Sequence, residues 1–461
     1  MTEIYGTAGN DHIVGSSTTF DVFHMEQGGS DSVECTAFSM NWLYFGATLD
    51  ATDTITAVPG VGDWVYLEGD YSKTVVFTDQ TIQLVDTIFL HSGYNYSFVT
   101  ADGNVSAGSV LGVRIDNNQA TPDFGLKWDG SAETDGRFSI TGGNRGNTLI
   151  GGAQSDTLTG GAGTDLLIGN SGDDHLDAYG PGNDIALGGD GDDQISFTDL
   201  SSSDRIDGGA GFDTLMVGGV SVTLTHAFVT GIEAIQVIGY DVATIRTTDD
   251  LIAAHETLIV EIGNGDATLR WDGGAEKDGQ FRLIAGKNAD SLEGGLKSDK
   301  ITGNGGDDVI TGREGKDHIS GGEGNDLIAG GGAADLLAGG AGEDTFAYTL
   351  GSNSSGVAFD TIKKFDAQQD AFSMFADVSQ LDAKITKGTL SDGTFDHDLA
   401  AATNIAAHHA VLFKPSAGDF TGQTFLVIDQ NGVPGYQSGR DIVIELVNPQ
   451  HMADFSLGNF V

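Results

Sequence analysis

Between residues 290 and 344 an aspartate falls at every ninth position: Asp290, Asp299, Asp308, Asp317, Asp326, Asp335 and Asp344. Two residues after each stands a large apolar side chain: Leu292, Ile301, Ile310, Ile319, Ile328, Leu337 and Phe346. Glycines crowd the start of each unit, as in GGEGNDLIA at 321–329. An earlier block repeats the phrase at Asp156, Asp165, Asp174, Asp184 and Asp193, with Asn147 in the leading aspartate's place and one extra residue before Asp184, in AYGPGND. Single degenerate copies stand at 6–14 (GTAGNDHIV) and 208–216 (GGAGFDTLM). A period of nine fits neither a heptad nor a helical 3.6 repeat. It divides into a six-residue glycine turn and a three-residue strand whose middle, apolar side chain faces one side. Two units make one coil of two strands and two turns, and stacked coils bury a narrow core that no single unit could form. The fold class expected is all-β, a parallel β-solenoid.

Stacking sets the aspartates of units i and i+2 about 4.8 Å apart. Two carboxylates at that distance repel, unless a hard cation sits between them and turn carbonyls complete its shell. Glycine lets those carbonyls converge, because it adopts positive φ without a steric penalty. All-oxygen ligation with flexible geometry favours Ca²⁺ over Zn²⁺, which takes nitrogen or sulfur, and over Mg²⁺, which keeps its waters. The twelve aspartates of the two blocks are therefore the expected metal ligands, with several Ca²⁺ ions as cofactor.

The phrase GGxGxDxUx in these blocks resembles the calcium-binding repeat of the RTX (repeats-in-toxin) proteins. The resemblance implies a parallel β-roll of stacked Ca²⁺-binding coils in a secreted protein, extracellular or attached to the cell surface. It also implies export by type I secretion machinery under an uncleaved C-terminal signal. That route accounts for the N-terminus, MTEIYGTAGNDHIVG, which lacks the positive region and apolar core of a Sec-type signal peptide.

A second duplication lies outside the nonapeptides. LKWDGSAETDGRF (126–138) returns as LRWDGGAEKDGQF (269–281), and the same offset of 143 residues pairs Asp156 with Asp299. Short alternating runs such as KTVVFT, TIQLV and SVTLT read as further strands. The chain is thus expected to hold two tandem units, each a β-rich stretch followed by a nonapeptide block: 1–140 and 141–196, then 197–284 and 285–347. Trp128 and Trp271 could be carbohydrate platforms or could pack over coil junctions. Asp129, Glu133 and Asp135, with Asp272, Glu276 and Asp278, could bind further Ca²⁺ or form plain acidic turns. Residues 348–461 carry three of the six prolines and only scattered glycines. There FDTIKKFDAQQDAFSM (359–374) resembles the strand pair that closes RTX blocks. FLVIDQNGVPGYQSGRDIVIELV (425–447) resembles the "bluetail" C-terminal domain of RTX proteins, so a β-rich domain with the secretion signal is expected. Asp429, Asn431 and Asp441 there could form one more Ca²⁺ site, though an Asx-type hairpin turn explains Asp429–Gly432 equally well.

Charge narrows the function. Against 67 acidic residues stand 21 basic ones, a net −46, which excludes a general nucleic-acid binder because phosphate contacts need Lys and Arg. No apolar run is long enough to span a membrane. Cys35, the one cysteine, sits in an apolar-leaning segment and is expected to be a buried, inert thiol. No H-E-x-x-H or G-x-S-x-G motif is present, and His408–His409 lies in an alanine-rich run that suggests no ligand set. The expectation is a calcium-binding secreted structural or surface-interaction protein (matrix, surface layer or adhesion) and not an enzyme. Its partners are expected to be Ca²⁺, the secretion machinery, and cell-surface polysaccharide or other surface proteins. The alternatives are a secreted toxin or bacteriocin, or a polysaccharide-acting enzyme on a β-solenoid.

Overall fold

The computed structural model describes residues 1–36, 40–60, 62–115, 123–263, 267–349 and 354–461. The chain divides into two compact units, Met1–Val217 with Ala227–Ala234, and Gly218–His226 with Ile235–Val461. Each unit is built as a parallel β-solenoid.

In the first unit, one wall climbs from Thr2–Tyr5 through Asp21–His24, Trp42–Phe45, Trp64–Leu67 and Thr87–Leu90, every pair parallel. It continues through Val110–Ile115, Arg137–Thr141, Thr157–Thr159, His175–Ala178 and Gln194–Phe197 to Thr214–Val217. The second wall is split. Four short strands from His12–Val14 to Ile82–Gln83 make one sheet, and eight from Tyr71–Val76 to Val229–Thr230 make another. In the second unit, the nonapeptide strands alternate between two walls. Ser291–Glu293, Val309–Glu314, Leu327–Gly332 and Thr345–Tyr348 lie on one. Gln280–Ile284, Lys300–Gly305, His318–Glu323 and Leu336–Ala341 lie on the other.

The registers show why the period is nine. Ile301 pairs with Ile319 and Ile319 with Leu337 on one wall, while Leu292 pairs with Ile310 and Ile310 with Ile328 on the other. All six are buried, so the apolar residue of each unit lies against the same residue one coil away. Several strands are longer than the three residues expected. Val309–Glu314 and His318–Glu323 each run six, because the first glycine-turn residues also join the ladder, as Asn304 does with Gly322.

Trp128 and Trp271 are both buried, edge-on to Phe138 and Phe281 at ring-centroid distances of 5.7 and 5.5 Å. The duplicated tryptophans therefore pack inside their coils and offer no face to a sugar. Cys35 is buried too, and burial pushes its thiol up.

After Tyr348 the solenoid changes character. Asp360–Lys363 continues a wall in parallel, then pairs with Ile442–Val447. Behind it His409–Phe413, Phe425–Ile428 and Ile442–Val447 form an antiparallel set. A helix, Phe395–Thr403, covers this set; it was not part of the β-rich expectation. Its sequence explains it. Alanines favour the helix, Asp396 and Asp398 suit its N-terminal dipole, and Asn404 closes it in the left-handed region. Phe395 and Leu399, one turn apart, enter a cluster with Val411, Phe413, Phe425 and Val443.

Candidate metal centre

Each nonapeptide turn places its aspartate at the mouth of a strand, and the stacking aligns these residues into columns. The backbone N–H of Asp290 donates to Oδ1 of Asp308 at 2.8 Å, that of Asp308 to Asp326 at 2.9 Å, and that of Asp326 to Asp344 at 3.1 Å. A second column links Asp299, Asp317 and Asp335 at 2.8 Å per step. Block one repeats this from Asp156 to Asp174 to Asp193, and from Asp165 to Asp184. All twelve expected ligands are buried in this arrangement.

One carboxylate oxygen is thus held by the coil before it, and the fate of the other decides what the site can hold. Oδ2 of Asp165, Asp174, Asp193, Asp308, Asp317, Asp326, Asp335 and Asp344 is buried and has no hydrogen-bond partner among the described residues. In Asp156, Asp290 and Asp299, at the start of their columns, it accepts an N–H from Gly152, Gly286 or Gly295 of the same turn. Asp184 stacks in register but is not among the orphaned carboxylates. Burying an unpaired anion costs several kcal/mol, so such a group takes a proton or a counter-ion. Burial accordingly pushes Asp174 and Asp317 up to about 8 and Asp308 to about 7.

The first glycine of each turn marks the space beside these oxygens. A Cβ on Gly294 would press on Oδ2 of Asp299 and come within 2.7 Å of the Gly312 carbonyl oxygen, one coil on. Gly303, Gly312 and Gly321 show the same pair of neighbours, a carboxylate oxygen of the same turn and a carbonyl oxygen of the next coil. Oxygens therefore converge from two stacked turns, as a Ca²⁺ shell of six to eight oxygens requires.

Asn147 supplies an internal control. It stands where an aspartate would, and its Nδ2 donates to the carbonyls of Gly143 (3.0 Å), Arg145 (2.6 Å) and Gly160 (2.8 Å) and to Oδ1 of Asp165 (2.8 Å). Here the converging oxygens meet a donor of positive character. In the aspartate repeats they meet another oxygen, which calls for a proton or a cation between them.

The columns run further than the nine-residue register. Asp193 is followed by Asp213 of the degenerate copy, then Glu233. Asp335 is followed by Asp360, and Asp344 by Asp370. Near the N-terminus Asp11, Asp31 and Asp53 stack likewise, but both oxygens of Asp53 accept backbone N–H groups, from Asp31 and Asp50. Asp63 is satisfied in the same way by Asn41 and Val58. In those carboxylates each oxygen has a backbone donor, unlike the orphaned Oδ2 atoms of the nonapeptide columns.

The duplicated WDG turns differ from each other. Asp102, Glu133 and Asp135 bring one oxygen each within 4.8 Å of one another, yet Glu133 already accepts N–H groups from Val105 and Gly136. In the second copy the Lys277 ammonium sits 2.6 Å from Asp249, and Glu276 accepts the N–H groups of Lys277, Asp278 and Gly279 on Oε1. His408 and His409 do not act together. His409 pairs with Asp382 at 2.9 Å, while the His408 ring lies against Gly432.

Comparison with known proteins agrees with this geometry. The family described as "RTX calcium-binding nonapeptide repeat (4 copies)" matches residues 3–17, 141–176, 180–199, 200–219, 284–319 and 311–346. The chain carries RTX calcium-binding nonapeptide repeats. The matches cover both RTX blocks and reach Asp11 and Asp213 in the degenerate copies. Among solved structures this chain is similar to a solution structure of a subunit of the mannuronan C5-epimerase of Azotobacter vinelandii. The two share 22% identity over 38% of this chain and 80% of that one, at a TM-score of 0.14. A search of curated proteins found no match.

Proposed function

We propose that this RTX chain is a calcium-binding, secreted structural or surface-interaction protein, of matrix, surface-layer or adhesive kind, that folds when Ca²⁺ enters its aspartate columns. The observation that carries the reading is the row of buried, donorless Oδ2 atoms, with Asn147 showing that the same oxygens accept a donor where one exists. The ligands are the eight block aspartates whose Oδ2 lacks a donor, with Asp213 and Asp360 continuing their columns, while Asp156, Asp290 and Asp299 anchor the column starts through backbone N–H groups. In the cytosol, where Ca²⁺ is scarce, carboxylate repulsion and glycine entropy keep the chain loose and exportable. Outside, sites with dissociation constants of about 10⁻⁴–10⁻³ M fill, and binding free energy becomes folding free energy. Type I secretion directed from within 348–461 suits a chain that must leave unfolded, and no described helix is long and apolar enough to cross a membrane. Its role is non-enzymatic, and its partners are surface polysaccharide or other surface proteins.

Far-UV circular dichroism and sedimentation in EGTA, then in millimolar Ca²⁺, test the folding step. The expected result is an expanded chain that gains β-signal and compacts with Ca²⁺. Identical spectra and sedimentation in both buffers would defeat the proposal.

A further inference from the structure

Between the antiparallel strands Phe425–Ile428 and Ile442–Val447 runs a loop, Asp429–Asp441, far from any nonapeptide in sequence. Its two end carboxylates are buried, Asp429 at 0% and Asp441 at 1% exposure. Oδ1 of Asp429 accepts the N–H groups of Gly432 (2.8 Å) and His408 (3.1 Å), which is the Asx turn legible in D-x-N-G. Oδ2 of Asp429 has no hydrogen-bond partner among the described residues. Asp441 accepts from Asn431 Nδ2 (2.8 Å) and from the N–H of Gln437 (2.7 Å). The two loop ends lie beside each other, because Ile428 and Ile442 next to them are paired in the antiparallel ladder.

The middle of the loop is equally rich in oxygen. The Gln437 Nε2 lies on three carbonyls at once: Val433 (3.1 Å), Pro434 (3.3 Å) and Gly435. A side-chain amide has two hydrogens, so three acceptors crowd two donors. Asn431 Nδ2 meets Gln437 Oε1 at 2.7 Å, bringing a further oxygen to the same place. Two carboxylates and successive backbone carbonyls within one short loop form the donor set of a Ca²⁺ site. Zn²⁺ would ask for nitrogen or sulfur.

We propose that the Asp429–Asp441 loop is a separate Ca²⁺ site, in which the ion takes the carboxylates of Asp429 and Asp441 and the loop carbonyls that the Gln437 amide otherwise holds. The site deepens the calcium reading given above but does not depend on the columns for any ligand. It would tie the loop to the C-terminal domain, since Tyr436 within it already hydrogen-bonds Asp396 of the helix at 2.9 Å.

Hydrogen exchange read by mass spectrometry on the full chain, in EGTA and across a Ca²⁺ titration, reports the loop and the columns separately. At Ca²⁺ tenfold above the dissociation constant, amides of 430–437 should exchange about tenfold more slowly. Asp429→Asn with Asp441→Asn should abolish that protection while the 290–344 peptides still respond. Gln437→Ala, which keeps both carboxylates and removes the competing amide, should retain it. Protection in the loop without protection in the columns would uphold this site and defeat the column reading. Protection in the columns with an unchanged wild-type loop would overturn the site, whatever the variants do. Loss of the loop response in Gln437→Ala would overturn it as well, by showing that the amide is the structural element.

Discussion

Gly312 and Gly305 allow the column geometry to be tested by one substitution made twice. Neither needs a left-handed backbone, so alanine at each differs only in the space its methyl meets. At Gly305 the nearest atom would be the Lys287 Cα at 3.6 Å, an ordinary contact. At Gly312 the methyl would press on Oδ2 of Asp317 and reach 2.5 Å from the Gly330 carbonyl oxygen, filling the space assigned to the ion. Overpacking against backbone that cannot move costs about 1–3 kcal/mol. A lost ion forfeits about 1.4 kcal/mol when Ca²⁺ is tenfold above its dissociation constant. Gly312→Ala should therefore cost about 2–4 kcal/mol in Ca²⁺, whereas Gly305→Ala should gain about 0.4–1 kcal/mol through the unfolded chain. Circular dichroism against Ca²⁺ gives the folding midpoint, and equilibrium dialysis gives the ions held at saturation. Gly312→Ala should raise the midpoint and hold at least one ion fewer, with Gly305→Ala unchanged in ion count. A destabilised Gly312→Ala that still binds the full complement would refute the reasoning, because the methyl would then be crowding ordinary packing and not a metal position.

Asp317→Ala should raise the Ca²⁺ midpoint more than Asp290→Ala. Asp317 has neighbours on both sides of its column and an orphaned oxygen, while Asp290 begins its column with both oxygens on backbone N–H groups; equal shifts in paired titrations would mean ions are not shared between coils. Asn147→Asp should place a carboxylate among the carbonyls of Gly143, Arg145 and Gly160. That variant should be less folded in EGTA and should bind one more ion by dialysis; unchanged stoichiometry would count against the control. Acid should partly replace the metal. Asp317 rises from 3.8 to about 8 on burial, so its contribution is present below 3.8 and is lost as pH rises through about 8. The β-signal in EGTA should therefore grow as pH is lowered through that window, while protons competing for the ligands raise the Ca²⁺ midpoint; a pH-independent EGTA spectrum would oppose this.

The solenoid and its core were legible because the nonapeptide fixes two things at once, the inward residue and the turn. Ile310 and Ile319 had no other place to go once Asp308 and Asp317 were stacked. The ends of the columns were less legible. Asp335 meets Asp360 and Asp344 meets Asp370 across longer connections, and a parallel ladder tolerates a longer turn as long as the strand returns in register. The spacing signal was lost there while the contact survived. Sequence also could not separate a donorless aspartate from one like Asp53, since both are aspartates in turns and only the count of nearby N–H groups differs. The Phe395–Thr403 helix escaped because its apolar face is short, Phe395 and Leu399 with Ala402 beside them, in a region read by its strands.

An interior carboxylate such as Asp317 belongs to two rungs of its column, and a rung at the end has one neighbour only. With calcium in its rungs as proposed above, a ladder of this kind would loosen above and below any ion lost from its middle, so it would open from its ends. The response to Ca²⁺ then steepens with the number of rungs, even if every site has the same modest affinity. On that reading repetition is a threshold device: the same weak site, copied along a column, would turn a graded ion concentration into a choice between a loose chain and a stack of closed coils.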